Sequence, residues 1–75
     1  MTVKIHLKEI NDVYKLVNTL IGFDGDVDLE SGRYKVDGKS ILGIFSLDLR
    51  QPIKLTYKGE REAELKDKLK DLIVE

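Results

Sequence analysis

The apolar residues of this chain switch repeatedly between a period of two and the wider spacing of a helix, and each switch marks an element boundary. In "TVKIHL", Val3, Ile5 and Leu7 share one side while Lys4 and His6 take the other, the alternation of a half-buried strand. From Ile10 the apolar set becomes Ile10, Val13, Tyr14, Val17, Leu20 and Ile21. That spacing predicts a helix, with Asn11 or Asp12 as its cap and Gly22 as a left-handed end. "DVDLE" alternates again, "SGR" turns the chain and "YKVDG" alternates back, which reads as a hairpin.

Ile41, Leu42, Ile44 and Phe45 cannot alternate cleanly as a strand, so Ser40 to Ser46 reads as a short helix with Ser40 as its N-cap. After Pro52, Ile53, Leu55 and Tyr57 share one face of a fourth strand, which Gly59 breaks. In "EREAELKDKLKDLIVE", Leu65, Leu69, Leu72 and Ile73 fall at helical spacing. Acids come early there and Lys68 and Lys70 late, as the helix dipole favours. The order β-α-β-β-α-β-α predicts an α+β fold, a four-stranded antiparallel sheet with the helices segregated to one side.

Little besides apolar packing can hold such a fold, because the chain contains no Cys and therefore no disulfide or thiolate zinc site. Its 75 residues fit a single domain spanning 1–75. A domain of this size buries only about 60% of its unfolded-chain surface. Thirteen Lys plus Arg against fourteen Asp plus Glu give a net charge of -1, and the signs are interspersed along the chain. That balance leaves no electrostatic footprint for nucleic acid or for an anionic membrane. No run nears the roughly 20 apolar residues of a membrane span, and "MTVKIHLKEI" lacks the apolar segment of a signal peptide, so a cytoplasmic location is expected.

Gly38-Lys39-Ser40 invites a nucleotide-binding reading, which fails on spacing. A P-loop needs four residues between its first Gly and the Gly-Lys-Ser, so that consecutive backbone N–H groups wrap the phosphates. Gly32 stands five residues away, Arg33 to Asp37, and that interval alternates like a strand. "DGDVD" lacks the length, the sixth-position Gly and the closing Glu of a calcium loop, and reads as a turn entering a strand. No metal-ligand cluster, cofactor motif or paired His and Cys occurs, so independent catalysis is not expected. Ser40 retains two readings that share one geometry, a helix cap or a phosphate-accepting residue. "SILGIF" carries more apolar surface than a two-turn helix readily buries on one side, and part of it is expected to face outward.

These residues carry a resemblance. Residues 23 to 49, "FDGDVDLESGRYKVDGKSILGIFSLDL", resemble the second-strand to short-helix region of HPr, the phosphocarrier protein of the bacterial sugar phosphotransferase system. The run "KSILGIFSL" is the specific part, and the element order is also that of HPr. The resemblance implies the open-faced β-sandwich of that family. It also implies Ser40 as the residue phosphorylated by an ATP-dependent HPr kinase, with Ile41, Leu42 and Phe45 meeting that kinase or a catabolite control protein, a transcriptional regulator.

A departure accompanies the match. Phosphocarriers hold a Gly-apolar-His-Ala-Arg-Pro motif at the first strand-to-helix junction. Counting back from Phe23 without gaps puts Glu9 at the His position and Asn11 at the Arg position. Glu9 cannot form a phosphohistidine and Asn11 brings no cation, so the carrier site is expected to be degenerate, with Glu9 as a fixed negative charge. His6 is the one imidazole in the chain, and it reads first as a solvated strand residue and second as a relocated phosphoryl acceptor. "RQP", residues 50 to 52, is shorter than the Gly- and Pro-containing turn usual in the family. Three functions remain open: a regulatory protein-binding module, a carrier using His6, or an interaction domain unrelated to sugar transport. Protein partners, no cofactor and a monomer or weak dimer are expected.

Overall fold

A computed structural model describes residues 1–74. Seven elements follow one another: β1 (Thr2–Ile5), α1 (Ile10–Ile21), β2 (Asp26–Ser31), β3 (Tyr34–Asp37), α2 (Ile41–Phe45), β4 (Ile53–Lys58) and α3 (Glu62–Lys68). The strands form one antiparallel sheet in the order β1-β4-β2-β3. Alternation decides which face is covered. Val3, Ile5, Val27, Leu29, Ile53, Leu55 and Tyr57 are buried, while Lys4, Asp26, Lys54 and Lys58 stand exposed on the other side. The sheet is thus open on one face.

On the covered face Leu16 and Leu20 of α1 join Leu65 of α3, Leu69 just beyond it, and Ile44 of α2 in a single core. All five are fully buried, each worth roughly 1.5–3 kcal/mol relative to exposure. No buried side-chain nitrogen or oxygen among the described residues lacks a partner. The hairpin between β2 and β3 turns at Gly32 and Arg33, and Gly32 has φ 60 at the first of the two loop positions, where a type II′ turn takes glycine. At the other end of β2, Gly25 has φ 113, and a Cβ there would lie 2.5 Å from the Lys58 carbonyl, so the loop closes tightly on β4.

Four expectations need correction. β1 ends at Ile5, and Leu7 is buried without being part of the strand. The cap of α1 is Glu9, with Asn11 and Asp12 already inside the helix, and Gly22 ends it at φ -78, a right-handed residue. The buried stripe of α1 is Val13, Leu16, Val17 and Leu20, whereas Ile10, Tyr14 and Ile21 face solvent. Finally, α3 stops at Lys68. Leu72 and Ile73 do not continue it: His6 N–H donates to the Leu72 carbonyl, Val74 N–H donates to the Lys4 carbonyl, and Ile73 bridges Ile5. The segment lies along the outer edge of β1, and satisfying backbone groups there outweighs extending the helix.

Candidate functional site

Two corners of the helical face hold the residues singled out by the sequence. The first is the start of α2. As β3 ends, the Asp37 carbonyl accepts from Ser40 N–H at 3.0 Å, and Asp37 Oδ1 accepts from Lys39 N–H at 2.9 Å. Lys39 Nζ donates to the Phe23 carbonyl at 2.7 Å, tying this turn to the loop after α1. Ser40 is extended at φ -101, ψ 107, and its Oγ accepts from Gly43 N–H at 3.2 Å, which makes it the cap expected of it. Gly43 permits that approach: a Cβ on it would lie 3.2 Å from both Ser40 Oγ and the Val36 Cβ.

Within α2 the apolar residues divide. Ile44 is buried and Ile41 half-buried, but Leu42 is 83% exposed and Phe45 41% exposed. The Phe45 ring meets the Tyr14 ring of α1 edge to face, centroids 6.4 Å apart. Tyr14, 46% exposed, and Ile10, 65% exposed, add the first turns of α1 to this apolar surface.

The second corner is the junction of β1 and α1. Glu9 is the extended N-cap, at φ -134, ψ 159, and Asn11 is exposed. Asp12 fixes the turn, its Oδ2 accepting from Lys8 N–H at 3.0 Å and from Glu9 N–H at 3.1 Å. A shallow depression of about 430 Å³ opens beside it, lined by His6, Lys8, Glu9, Ile10, Phe45 and Arg50 among others. Phe45 therefore belongs to both corners. Arg50 is clamped by Asp48 through Nε at 2.9 Å and Nη2 at 3.1 Å. Its side-chain and backbone hydrogen bonds hold the Asp48 carboxyl below the usual carboxylate range.

The structure thus brings Glu9, His6 and Phe45 to one depression, puts Ser40 and Ile41 at the adjacent corner, and leaves Asn11 outside the lining. Sequence reasoning missed Ile10 and Tyr14 as surface residues and Arg50 as sharing a depression with His6. The first two carried a signal, because Ile10 and Tyr14, four apart, define a second apolar edge beside the stripe through Val13 and Leu16. Arg50 carried none, being brought there by the turn before β4. Among the described residues no group of three or more His, Asp or Glu is placed to hold a metal ion, and no helix is long and apolar enough to cross a membrane.

Residues 10–75 match the protein family described as "PTS HPr component phosphorylation site". The chain therefore belongs to the HPr family of the phosphotransferase system, and its mixed fold is the HPr fold. Among solved structures it is similar to HPr-C-His from Thermoanaerobacter tengcongensis, with 33% identity over 97% of this chain and 88% of that one, at a TM-score of 0.77. It is also similar to an HPr dimer from Thermoanaerobacter tengcongensis, with 30% identity, 95% and 87% coverage, and a TM-score of 0.70. A search of curated proteins returned no match.

Proposed function

We propose that this chain is a regulatory, protein-binding member of the HPr family that has given up the phosphohistidine step. In this reading Glu9 and Asn11 stand where a carrier has its His and Arg, which leaves the β1–α1 corner without acceptor or counter-ion. The corner at the start of α2 keeps its equipment. The observation that carries the reading is the exposed apolar surface of Ile10, Tyr14, Leu42 and Phe45 continuous with the Ser40 corner. Apolar side chains held in the open beside a hydroxyl that can take a charge suit a docking surface whose affinity a phosphate sets.

An HPr-kinase-like enzyme transfers the γ-phosphoryl group of ATP to Ser40: the hydroxyl gives up its proton, the Oγ–P bond forms as the bond from the γ-phosphorus to the bridging oxygen breaks, and ADP leaves the kinase. The added charge of about -1.5 to -2 then favours a partner that presents cations there. Ile41, Leu42 and Phe45 meet the kinase or a transcriptional regulator. The domain itself catalyses nothing, works in the cytoplasm without a cofactor, and is a monomer or weak dimer. The test is intact mass after incubation with a Gram-positive HPr kinase and ATP. The expected result is one added phosphate on wild type and none on Ser40→Ala. An unlabelled wild type beside a labelled authentic HPr would remove the proposal.

One observation favours a second reading. His6 and Arg50 line the same depression at the start of α1, which brings an imidazole and a guanidinium to the carrier corner from new positions. A carrier using His6 would take an acid-labile, base-stable phosphate from phosphoenolpyruvate through enzyme I. That phosphate disappears in His6→Gln, and an unphosphorylated wild type ends this alternative.

A further inference from the structure

The sheet has two edges, and they are finished differently. Beyond β1 the segment at Leu72 to Val74 supplies hydrogen bonds to His6 and Lys4 and a bridge to Ile5. At the opposite edge β3 pairs with β2 alone. The register decides which β3 groups are engaged. Ser31 pairs with Tyr34, Leu29 pairs with Val36, and Gly38 N–H donates to the Val27 carbonyl at 2.8 Å. Tyr34, Val36 and Gly38 therefore direct their peptide groups toward β2, and Lys35 and Asp37 direct theirs away from it. The Asp37 carbonyl already accepts from Ser40 N–H. The Asp37 N–H and both peptide groups of Lys35 are left facing outward.

We infer that β3 is a contact between two copies of this chain, paired antiparallel about Lys35. The segment Arg33-Tyr34-Lys35-Val36-Asp37 complements itself in that register. Lys35 exchanges backbone hydrogen bonds with the partner's Lys35, and the turn residue Arg33 comes level with the partner's Asp37. On the open face Arg33 lies across from the partner's Asp37, an attractive cross-strand pair formed twice. On the helix side Tyr34, 71% exposed in the monomer, lies across from the partner's Val36, an aromatic and β-branched pair also formed twice. The opposed Lys35 ammonium groups work against the pairing, and each is offset by Asp28 of its own chain at 3.5 Å. A second copy is the occupant because the outer charges of the segment, Arg33 at one end and Asp37 at the other, are complementary when the segment is reversed. Five residues per copy make the contact weak, so it forms at high concentration and leaves the helical face free.

Sedimentation equilibrium of the full chain up to about millimolar concentration, the range where contacts this small associate, tests the inference. Wild type is expected to self-associate reversibly to dimer. Lys35→Pro removes an outward N–H and no intramolecular hydrogen bond, and it is expected to stay monomeric with an otherwise retained amide spectrum. Arg33→Asp and Asp37→Arg should each weaken the dimer about tenfold, the scale of two cross-strand ion pairs lost and two repulsions gained. Combining them should restore it, because the pair is then reversed. A monomeric wild type at the highest concentration, a dimer indifferent to Lys35→Pro, or a double variant no tighter than either single one overturns the inference.

Discussion

The starts of α1 and α2 do the same mechanical job with different materials. At α1 a carboxylate accepts two backbone N–H groups, from Lys8 and Glu9, and Lys8, Glu9 and Arg50 share the adjoining depression with Ile10 and Phe45. At α2 a hydroxyl accepts one N–H, from Gly43, and the flanking side chains are the exposed Leu42 and Phe45. A carboxylate is already charged and cannot be phosphorylated as a serine can. A hydroxyl can still change state. The α1 corner therefore keeps a constant charge, whereas the α2 corner presents a group able to change state, and the proposed role of Ser40 draws on that difference.

The harshest way to break this contrast is Gly43→Val. Its Cβ would crowd Ser40 Oγ and Val36 at 3.2 Å, so a loss of about 1–3 kcal/mol is expected in urea unfolding, as for overpacked sites. A valine tolerated without loss would mean that α2 moves freely, and the Ser40 corner would not be the fixed site described. Next come the caps themselves. Asp12→Ala should cost about 1–2 kcal/mol and Ser40→Ala about 1 kcal/mol or less, since the carboxylate satisfies two amides and the hydroxyl one. Equal costs, or the reverse order, in chemical unfolding would break the comparison.

Leu42→Asp has the opposite profile. At 83% exposure, the change should stay within about 0.5 kcal/mol in stability, while capture of Ser40-phosphorylated protein by a regulator falls at least tenfold. A variant that binds as wild type would show that the apolar surface is not the docking face. The smallest expected effect is in acid. The Asp48 carboxyl is depressed by Arg50, so the pair's contribution is present above the ordinary aspartate range and is lost as pH falls through the lower folded value. Carbon-detected titration should find Asp48 ionising below the ordinary aspartate range, and Arg50→Gln should return it there.

Much of this was legible beforehand because the local patterns were unambiguous. The hairpin was marked by alternation on both sides of Ser31-Gly32-Arg33, and α2 by a serine followed by residues that cannot alternate. The end of the chain was not legible, since Leu69, Leu72 and Ile73 sit at helical spacing whether the helix continues or the backbone leaves to lie along β1. Only the outward-facing backbone groups of β1 distinguish the outcomes, and those are set by the sheet order. The outward placement of Ile10 and Tyr14 was hidden for a similar reason: six apolar residues fit a stripe, and which edge of it met the sheet depended on packing from α2 and α3. At the sites, the cap role of Ser40 was readable from residue type, whereas Arg50 in the depression lined by His6 depended on how the turn before β4 folds back.

The segment from Leu72 to Val74 has a consequence for growth as well as for stability. A sheet that can accept a neighbour at either end can add copies without limit and become a fibril, but with Leu72 to Val74 lying along the β1 side, one docking end remains among the described residues. Two copies joined through it use up each other's single opening, so assembly by strand addition stops at a closed pair.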